Sequence, residues 1–345
     1  MTSPEVFADA VAASCEAALS RVGARVERFS IGAMSIKLVA PCDEARPWIG
    51  RAFLPSPVPA AEAPDREHCL AIWDGTRPES LPPPRPWGPT AHEPLGVIAE
   101  YSTGTVRCAF DIHTSSLVVR HDRLNASYVW VPKLADLPAW ALASPMRVPL
   151  SWLANAHGMQ VVHAAAVAMG GRAVLLAGAG GSGKSTTALA CAMAGMAYLG
   201  DDYCVVEPGM NMVHLLYRTA KLFQASLDML PKARAWLCNP RRATEEKGVI
   251  FFDSSQVSVV PSAPLAAIVL PRLASGERTR ISRASRREAI AALLPSTIGG
   301  LMGGTAATPG LILKAISGVP IYHLMLGTDL ASITDTIRAV SEAQS

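Results

Sequence analysis

The reading turns on one stretch, Val174-Leu-Leu-Ala-Gly178-Ala-Gly-Gly-Ser-Gly183-Lys184-Ser185-Thr186. An apolar run enters a glycine-rich turn, and a helix-forming run begins at once. The spacing satisfies G-x-x-x-x-G-K-[ST], the phosphate-binding loop, in the strand–loop–helix context that it needs. Glycines let the backbone N–H groups of Gly178, Ala179, Gly180, Gly181, Ser182 and Gly183 turn inward around phosphate oxygens. A helix starting at Lys184 adds its positive N-terminal end. Lys184 would reach the terminal phosphates, Ser185 would offer its hydroxyl to Mg²⁺, and Thr186 closes the binding segment. The expected ligand is ATP with Mg²⁺, and nothing in the stretch separates ATP from GTP. Gly178, Gly180 and Gly183 also fit G-x-G-x-x-G, the dinucleotide fingerprint. That fingerprint does not require Lys and then Ser after its last glycine, so the mononucleotide reading is preferred.

Downstream, the helix over 184–194 runs to Gly195, a natural helix stop. A short strand, 196–199, leads into Gly200-Asp201-Asp202. If that strand lies beside the loop strand, as a βαβ unit would place it, its carboxyl end faces the phosphates. One aspartate would then hold Mg²⁺ with Ser185 and the other would take a proton from an attacking hydroxyl. We take Asp201 as the base and Asp202 as the metal ligand, although residue types do not fix the order. A solvated Asp-Asp turn is the plain alternative. An ordinary P-loop ATPase would instead use an acidic residue after a later apolar strand, and Val249-Ile-Phe-Phe252-Asp253 offers one.

Upstream, 160–168 and 173–177 flank Gly170-Gly171, a two-residue hairpin signal. Hairpin partners then sum to 341, which sets His163 across from Gly178, at the mouth of the loop. The competing reading is a satisfied core histidine. Further cations lie at Arg218, Lys221, Arg241, Arg242 and Lys247. They suit a clamp on a transferring phosphoryl group or plain surface solvation. The glycine-rich run 298–304 reads as a substrate lid or a linker.

The rest of the C-terminal part alternates apolar strands (203–206, 212–216, 249–252, 266–270, 319–325) with helices over 285–294 and 328–342, an α/β pattern. The N-terminal part has another texture. A helix over 4–23 precedes one or two strands within 25–41 and a strand at Cys69–Trp73. A meander follows over 96–100, 105–112, 116–120 and 127–131. Ten of the 27 prolines fall in 55–89, which is expected to be extended loop. This part reads as α+β and mostly antiparallel. A helical connector over 138–157, broken at Pro145 and Pro149, holds the boundary. The expected domains are 1–145 and 146–345.

The 345 residues carry 31 basic and 28 acidic side chains, a net charge of +3, without a tract of like charge. That balance argues against nucleic-acid and membrane-surface partners. The seven scattered cysteines read as reduced thiols. No secretory signal and no apolar span is visible, and a cytoplasmic protein is expected.

Val162-His163-Ala-Ala-Ala-Val167, the loop through Thr186, and Tyr198-Leu-Gly-Asp-Asp202 together resemble the catalytic domain of HPr kinase/phosphorylase. The likeness is closer to the HPr-kinase-related serine kinases, among them those encoded beside lasso-peptide biosynthesis genes. It is specific over about 145–207, looser to about 340, and does not extend to 1–140. Thr186 stands where HPr kinases tend to carry Glu. The resemblance implies an α/β P-loop kinase domain with nucleotide at Gly178–Thr186, a base among Asp201 and Asp202, and His163 beside the γ-phosphate. It also implies transfer to a serine-type hydroxyl on a peptide or protein, and allows a homo-oligomer. The rivals are a small-molecule kinase for a free serine-type acceptor and a nucleotide-gated ATPase or sensor that transfers nothing.

Lys184 is expected to be an exposed charge on a preformed loop. Lys184→Ala should therefore abolish ATP binding or turnover without unfolding the chain, and near-normal nucleotide affinity by calorimetry would overturn the loop assignment.

Overall fold

The computed structural model describes residues 2–42, 48–55, 67–88, 96–240, 246–300 and 305–343. The proline clusters at 56–59 and 89, the pair Arg241 and Arg242, and 301–304 of the glycine-rich run lie outside the described residues. The chain forms a mixed α/β structure in two compact units. The first takes 1–50 and 55–153, and the second takes 51–54, 154–300 and 305–345.

In the first unit, α1 (Pro4–Val22) starts where the Ser3 hydroxyl accepts from the Val6 amide, with proline in the first turn. Strands β1 (Ala24–Ile31) and β2 (Met34–Pro41) make one hairpin, and a short α2 (Trp48–Arg51) precedes β3 (His68–Asp74). Strands β4 (Val106–Asp111), β5 (Ser116–His121) and β6 (Ala126–Val131) follow. The sheet order is β1-β2-β3-β6-β5-β4. The expectation of a mostly antiparallel sheet needs correcting at the centre, because β3 runs parallel to both β2 and β6. A strand covered on both faces and paired in parallel reads as an unbroken apolar run, and Leu70-Ala-Ile-Trp73 is one. The expected strand at 96–100 is also absent. Val97 makes a single bridge to Ala109, and a 3₁₀ turn follows at Ala99–Tyr101.

Helix α1 lays Phe7, Val11, Cys15 and Leu19 on Trp73, Val106, Cys108, Leu117 and Val119. Phe7 sits edge-on to Trp87 and Tyr101, with ring centroids 5.2 and 5.7 Å away. The connector breaks once, between α3 (Ala139–Ala143) and α4 (Arg147–Ala156), where Met146 takes a φ of 56°. Pro149 does not break it. It lies in the first turn of α4, where a missing amide donor costs nothing.

The second unit continues through β7 (Gln160–Val162), β8 (Ala164–Met169), β9 (Arg172–Ala177), α5 (Lys184–Met193), β10 (Ala197–Gly200), β11 (Cys204–Glu207), β12 (Met212–Leu215) and β13 (Thr219–Leu222). After these come α6 (Gln224–Met229), β14 (Gly248–Phe251), β15 (Ser262–Leu273), β16 (Arg280–Arg283), α7 (Arg286–Gly300), α8 (Thr308–Ala315), β17 (Ile321–Leu326) and α9 (Leu330–Glu342). The main sheet runs β10-β8-β9-β15-β12-β11-β7, with β17 parallel to β15 and β16 on β17. Strands β13 and β14 form a separate pair. Alternate residues of β8, β9 and β15 enter two cores. Ala165, Val167, Val174, Leu176, Ala267 and Val269 pack with Ile333 and Ile337 of α9. Ala164, Ala166, Leu175 and Ile268 pack with Leu293 of α7 and Ile312 of α8. Burial on both faces explains why these strands read as continuous apolar runs. All seven cysteines are free thiols. Among the described residues no helix is long and apolar enough to cross a membrane.

Phe7 is 2% exposed at the centre of an aromatic cluster. Phe7→Ala should cost about 3–5 kcal/mol, read by urea denaturation with tryptophan fluorescence.

Candidate functional site

The β8–β9 hairpin has the expected register: Ala164 pairs with Ala177 and Met169 with Arg172, each pair summing to 341. Strand β9 therefore delivers Gly178 to the edge where β8 begins, and His163 sits at the break between β7 and β8. The two halves of that interrupted strand have different partners. β7 pairs with β11, while β8 pairs with β9 and β10.

The opposing strand is interrupted at the same level. Gly200 pairs with Ala166 and Cys204 with Val162, so 201–203 lie opposite 163–165. A register shift between Tyr198 and Gly200 adds one residue, and Asp202 takes a φ of 66°. Such a bulge re-aims side chains. A non-glycine residue held in the left-handed region marks a place where the surroundings impose the backbone. The βαβ expectation needs one correction. β8 lies between β9 and β10, so the acidic strand is not the neighbour of the loop strand. Two antiparallel steps still leave β10 parallel to β9, with its carboxyl end on the same edge.

There Asp201 and Ser185 meet. The Ser185 hydroxyl donates to Asp201 Oδ1 at 2.7 Å, and the Lys221 amide of β13 donates to Asp201 Oδ2 at 3.1 Å. Asp201 is 1% exposed. Burial and then the adjacent Asp202 charge hold its pKa above the ordinary aspartate range, against those hydrogen bonds. Asp202 behaves oppositely. Its Oδ2 accepts from Lys221 Nζ at 2.6 Å, and its Oδ1 lies 3.3 Å from His163 Nε2. Burial acts to raise its pKa but is outweighed by the Lys221 ammonium and the His163 contact, and the carboxyl stays well below the usual range. The His163 amide donates to Thr297 Oγ1 at 3.2 Å, and its ring lies 5.7 Å from that of Tyr203.

Lys184 differs from expectation. It is buried, not exposed, and its Nζ donates to the carbonyls of Gly178 and Ala179 at 2.7 and 3.0 Å. Burial depresses its pKa, opposed by Asp201 and Asp202. The hydroxyl of Ser182 is buried without a hydrogen-bond partner. The first-turn amides of α5 have no carbonyl one turn earlier to accept them. A buried lysine folded back on its own loop, an orphan hydroxyl and donor amides suit a bound polyanion. A serine hydroxyl and one carboxylate suit Mg²⁺, which uses one or two carboxylates together with substrate phosphates. Thr186 shares a 2.7 Å hydrogen bond with Ser226 of α6.

The remaining predicted residues separate. Asp253 is exposed and accepts from the amide and hydroxyl of Ser255 in its own turn. Arg218 donates its Nε to the Arg51 carbonyl at 2.9 Å. Lys221 joins the site and Lys247 lies over the Phe223 ring. Sequence reasoning missed Thr297 and Ser226, since contacts 134 and 40 residues apart leave no local signal.

Gly183 takes a φ of 100°, and a Cβ there would collide with Leu326 of β17. Gly183→Ala should abolish binding of Mg-ADP in calorimetry and lower the melting temperature by several degrees. Because the Lys184 ammonium ties two loop carbonyls, Lys184→Ala should also melt earlier than the wild type.

No family model matches the chain, and no curated protein matches it. Among solved structures it is similar to the HPr(Ser) kinase/phosphatase from Coxiella burnetii, at a TM-score of 0.26 and 12% sequence identity, over 53% of this chain and 95% of that one. A likeness at that score carries no argument about function, which rests on the side chains described above.

Proposed function

We propose that the chain is a Mg²⁺-dependent phosphotransferase of the HPr-kinase-like type, moving the γ-phosphate of ATP to a serine-type hydroxyl on a peptide or protein. The observation that carries this reading is the 2.7 Å contact between Ser185 and Asp201, with Asp202, His163 and Lys221 gathered beside it. A strand–loop–helix with Gly-Lys-Ser binds nucleotide phosphates in many folds. An adjacent carboxylate with an open side adds what a kinase needs and a plain nucleotide sensor does not. The alternative built on Asp253 finds no support, because that carboxylate closes its own exposed turn.

The geometry favours the reverse of the expected order within the acidic pair. Asp201 has almost no exposed side to meet an acceptor and touches the Ser185 hydroxyl, so it would be the partner of Ser185 in holding Mg²⁺. Ser185 and Asp201 would hold Mg²⁺, which would supply positive charge against the phosphates. Asp202 keeps 17% of its side chain exposed, beside His163 at 21%. An acceptor hydroxyl approaching that side gives its proton to Asp202 as its oxygen bonds to the γ-phosphorus and the bond to the β–γ bridging oxygen breaks. Lys221 fixes the rotamer of Asp202 and keeps it ionised. His163 orients the second oxygen, and Lys184 with the loop amides steadies charge on the phosphates.

Two isosteric variants test this assignment. Asp201→Asn can still accept from the Lys221 amide and donate to Ser185, and it loses a buried charge. Its melting temperature should match or exceed the wild type, while the Mg²⁺ dependence of nucleotide affinity disappears. Asp202→Asn should bind Mg-ADP nearly as well as the wild type yet lose turnover by about 10²–10⁴-fold. The depressed pKa of Asp202 means that its contribution to stability is complete above about pH 4 and is lost as the pH falls further. Asp202→Asn should thus be less stable at pH 7, by about 3 kcal/mol, with the gap narrowing below about pH 4. The opposite pattern, with Asp201→Asn keeping Mg²⁺-dependent affinity and Asp202→Asn losing it, would return the roles to the order first expected.

A further inference from the structure

Beside the loop stands an aromatic ring that none of these roles uses. Phe223 is 54% exposed, at the junction of β13 and α6. The β13–β14 ladder fixes its neighbour. Thr219 pairs with Phe251 and Leu222 with Gly248, so the next pair in register is Phe223 with Lys247. Lys247 Nζ lies 4.6 Å from the centre of the Phe223 ring.

Two contacts tie the Phe223 segment to the candidate site. The strand that ends before Phe223 gives its Lys221 amide to Asp201. Ser226, three residues after Phe223, bonds to Thr186 at the start of α5. The ring and its cation therefore stand next to the segment expected to hold the phosphates, on the side of Thr186 and α6.

An exposed phenyl ring forgoes the gain from burial. A nucleobase presents a flat π face that stacks on an aromatic side chain, with a benefit that barely depends on which base it is. A cation held at the ring adds attraction for the ring and for an anionic ligand alike. Resting on the nucleotide reading of the loop, we propose that Phe223 is the platform for the nucleobase. Lys247, held over the ring, would add its charge for an anionic ligand. Such a platform makes the site a nucleotide site rather than a bare polyphosphate site, and leaves base identity weakly selected.

Calorimetry with two probes, ADP and inorganic tripolyphosphate, each with Mg²⁺, separates the possibilities. Phe223→Ala should weaken ADP by about tenfold or more and leave tripolyphosphate within about twofold, and Phe223→Trp should restore ADP. Unchanged ADP affinity in Phe223→Ala would overturn the platform and leave the loop assignment standing. Equal loss of both probes would also overturn it, since the ring would then support the loop and not the base. A wild-type chain that binds neither probe would remove the nucleotide reading and the platform together.

Discussion

A carboxylate with almost no access to water holds the site together. Asp201 bonds to the hydroxyl of Ser185 on one side and to the amide of Lys221 on the other. Those partners come from α5 and β13, so a single side chain ties the start of α5, just after the glycine-rich turn, to β13. Burying an ion without a direct countercharge is costly, and two hydrogen bonds offset only part of that cost. The arrangement is therefore of the kind that a fold keeps for a task other than stability. It is also possible only because β10 carries an extra residue before Asp201. Without the register shift, the aspartates would exchange faces, since successive residues of a strand point to opposite sides.

Neighbouring aspartates with opposite electrostatics follow from that one geometry. Asp201 is turned inward and raised in pKa, whereas Asp202 is turned to the open side and lowered by an ammonium and an imidazole. Groups of one type pushed apart by their surroundings are how a site divides two jobs between chemically equal residues. Lys221 serves both, through its amide to one carboxylate and its ammonium to the other.

The strand–turn–helix around Gly178–Thr186 and the hairpin before it were legible because both are local. Gly-Lys-Ser has a fixed spacing, and Gly170-Gly171 sets the register of β8 on β9. Strand order was not legible. Nothing in 196–199 says that β8 intervenes before β9, because sheet neighbours are chosen by packing across the whole unit. Strand β13 escaped for another reason: Thr219-Ala-Lys-Leu222 is four residues long with a lysine in it, too short and too polar to stand out. That lysine is 5% exposed because Asp202 meets it, a partner that sequence pattern cannot supply. The surroundings of each member of the acidic pair were not legible either, since they depend on which way a one-residue bulge turns the chain.

The short segment 51–54 belongs with the second unit although residues 55–153 separate it from the rest of that unit. The Arg218 amide donates to the Ala52 carbonyl at 2.8 Å, and the Phe53 ring lies 5.5 Å from Tyr217. Phe53 and Tyr217 are both fully buried. The chain thus enters its second unit, leaves it to build most of the first, and returns. A gene fragment starting after Leu153 would encode the glycine-rich turn and the acidic pair yet lack the residues that meet Tyr217 and Arg218. In such a chain the second unit is not one contiguous piece of sequence.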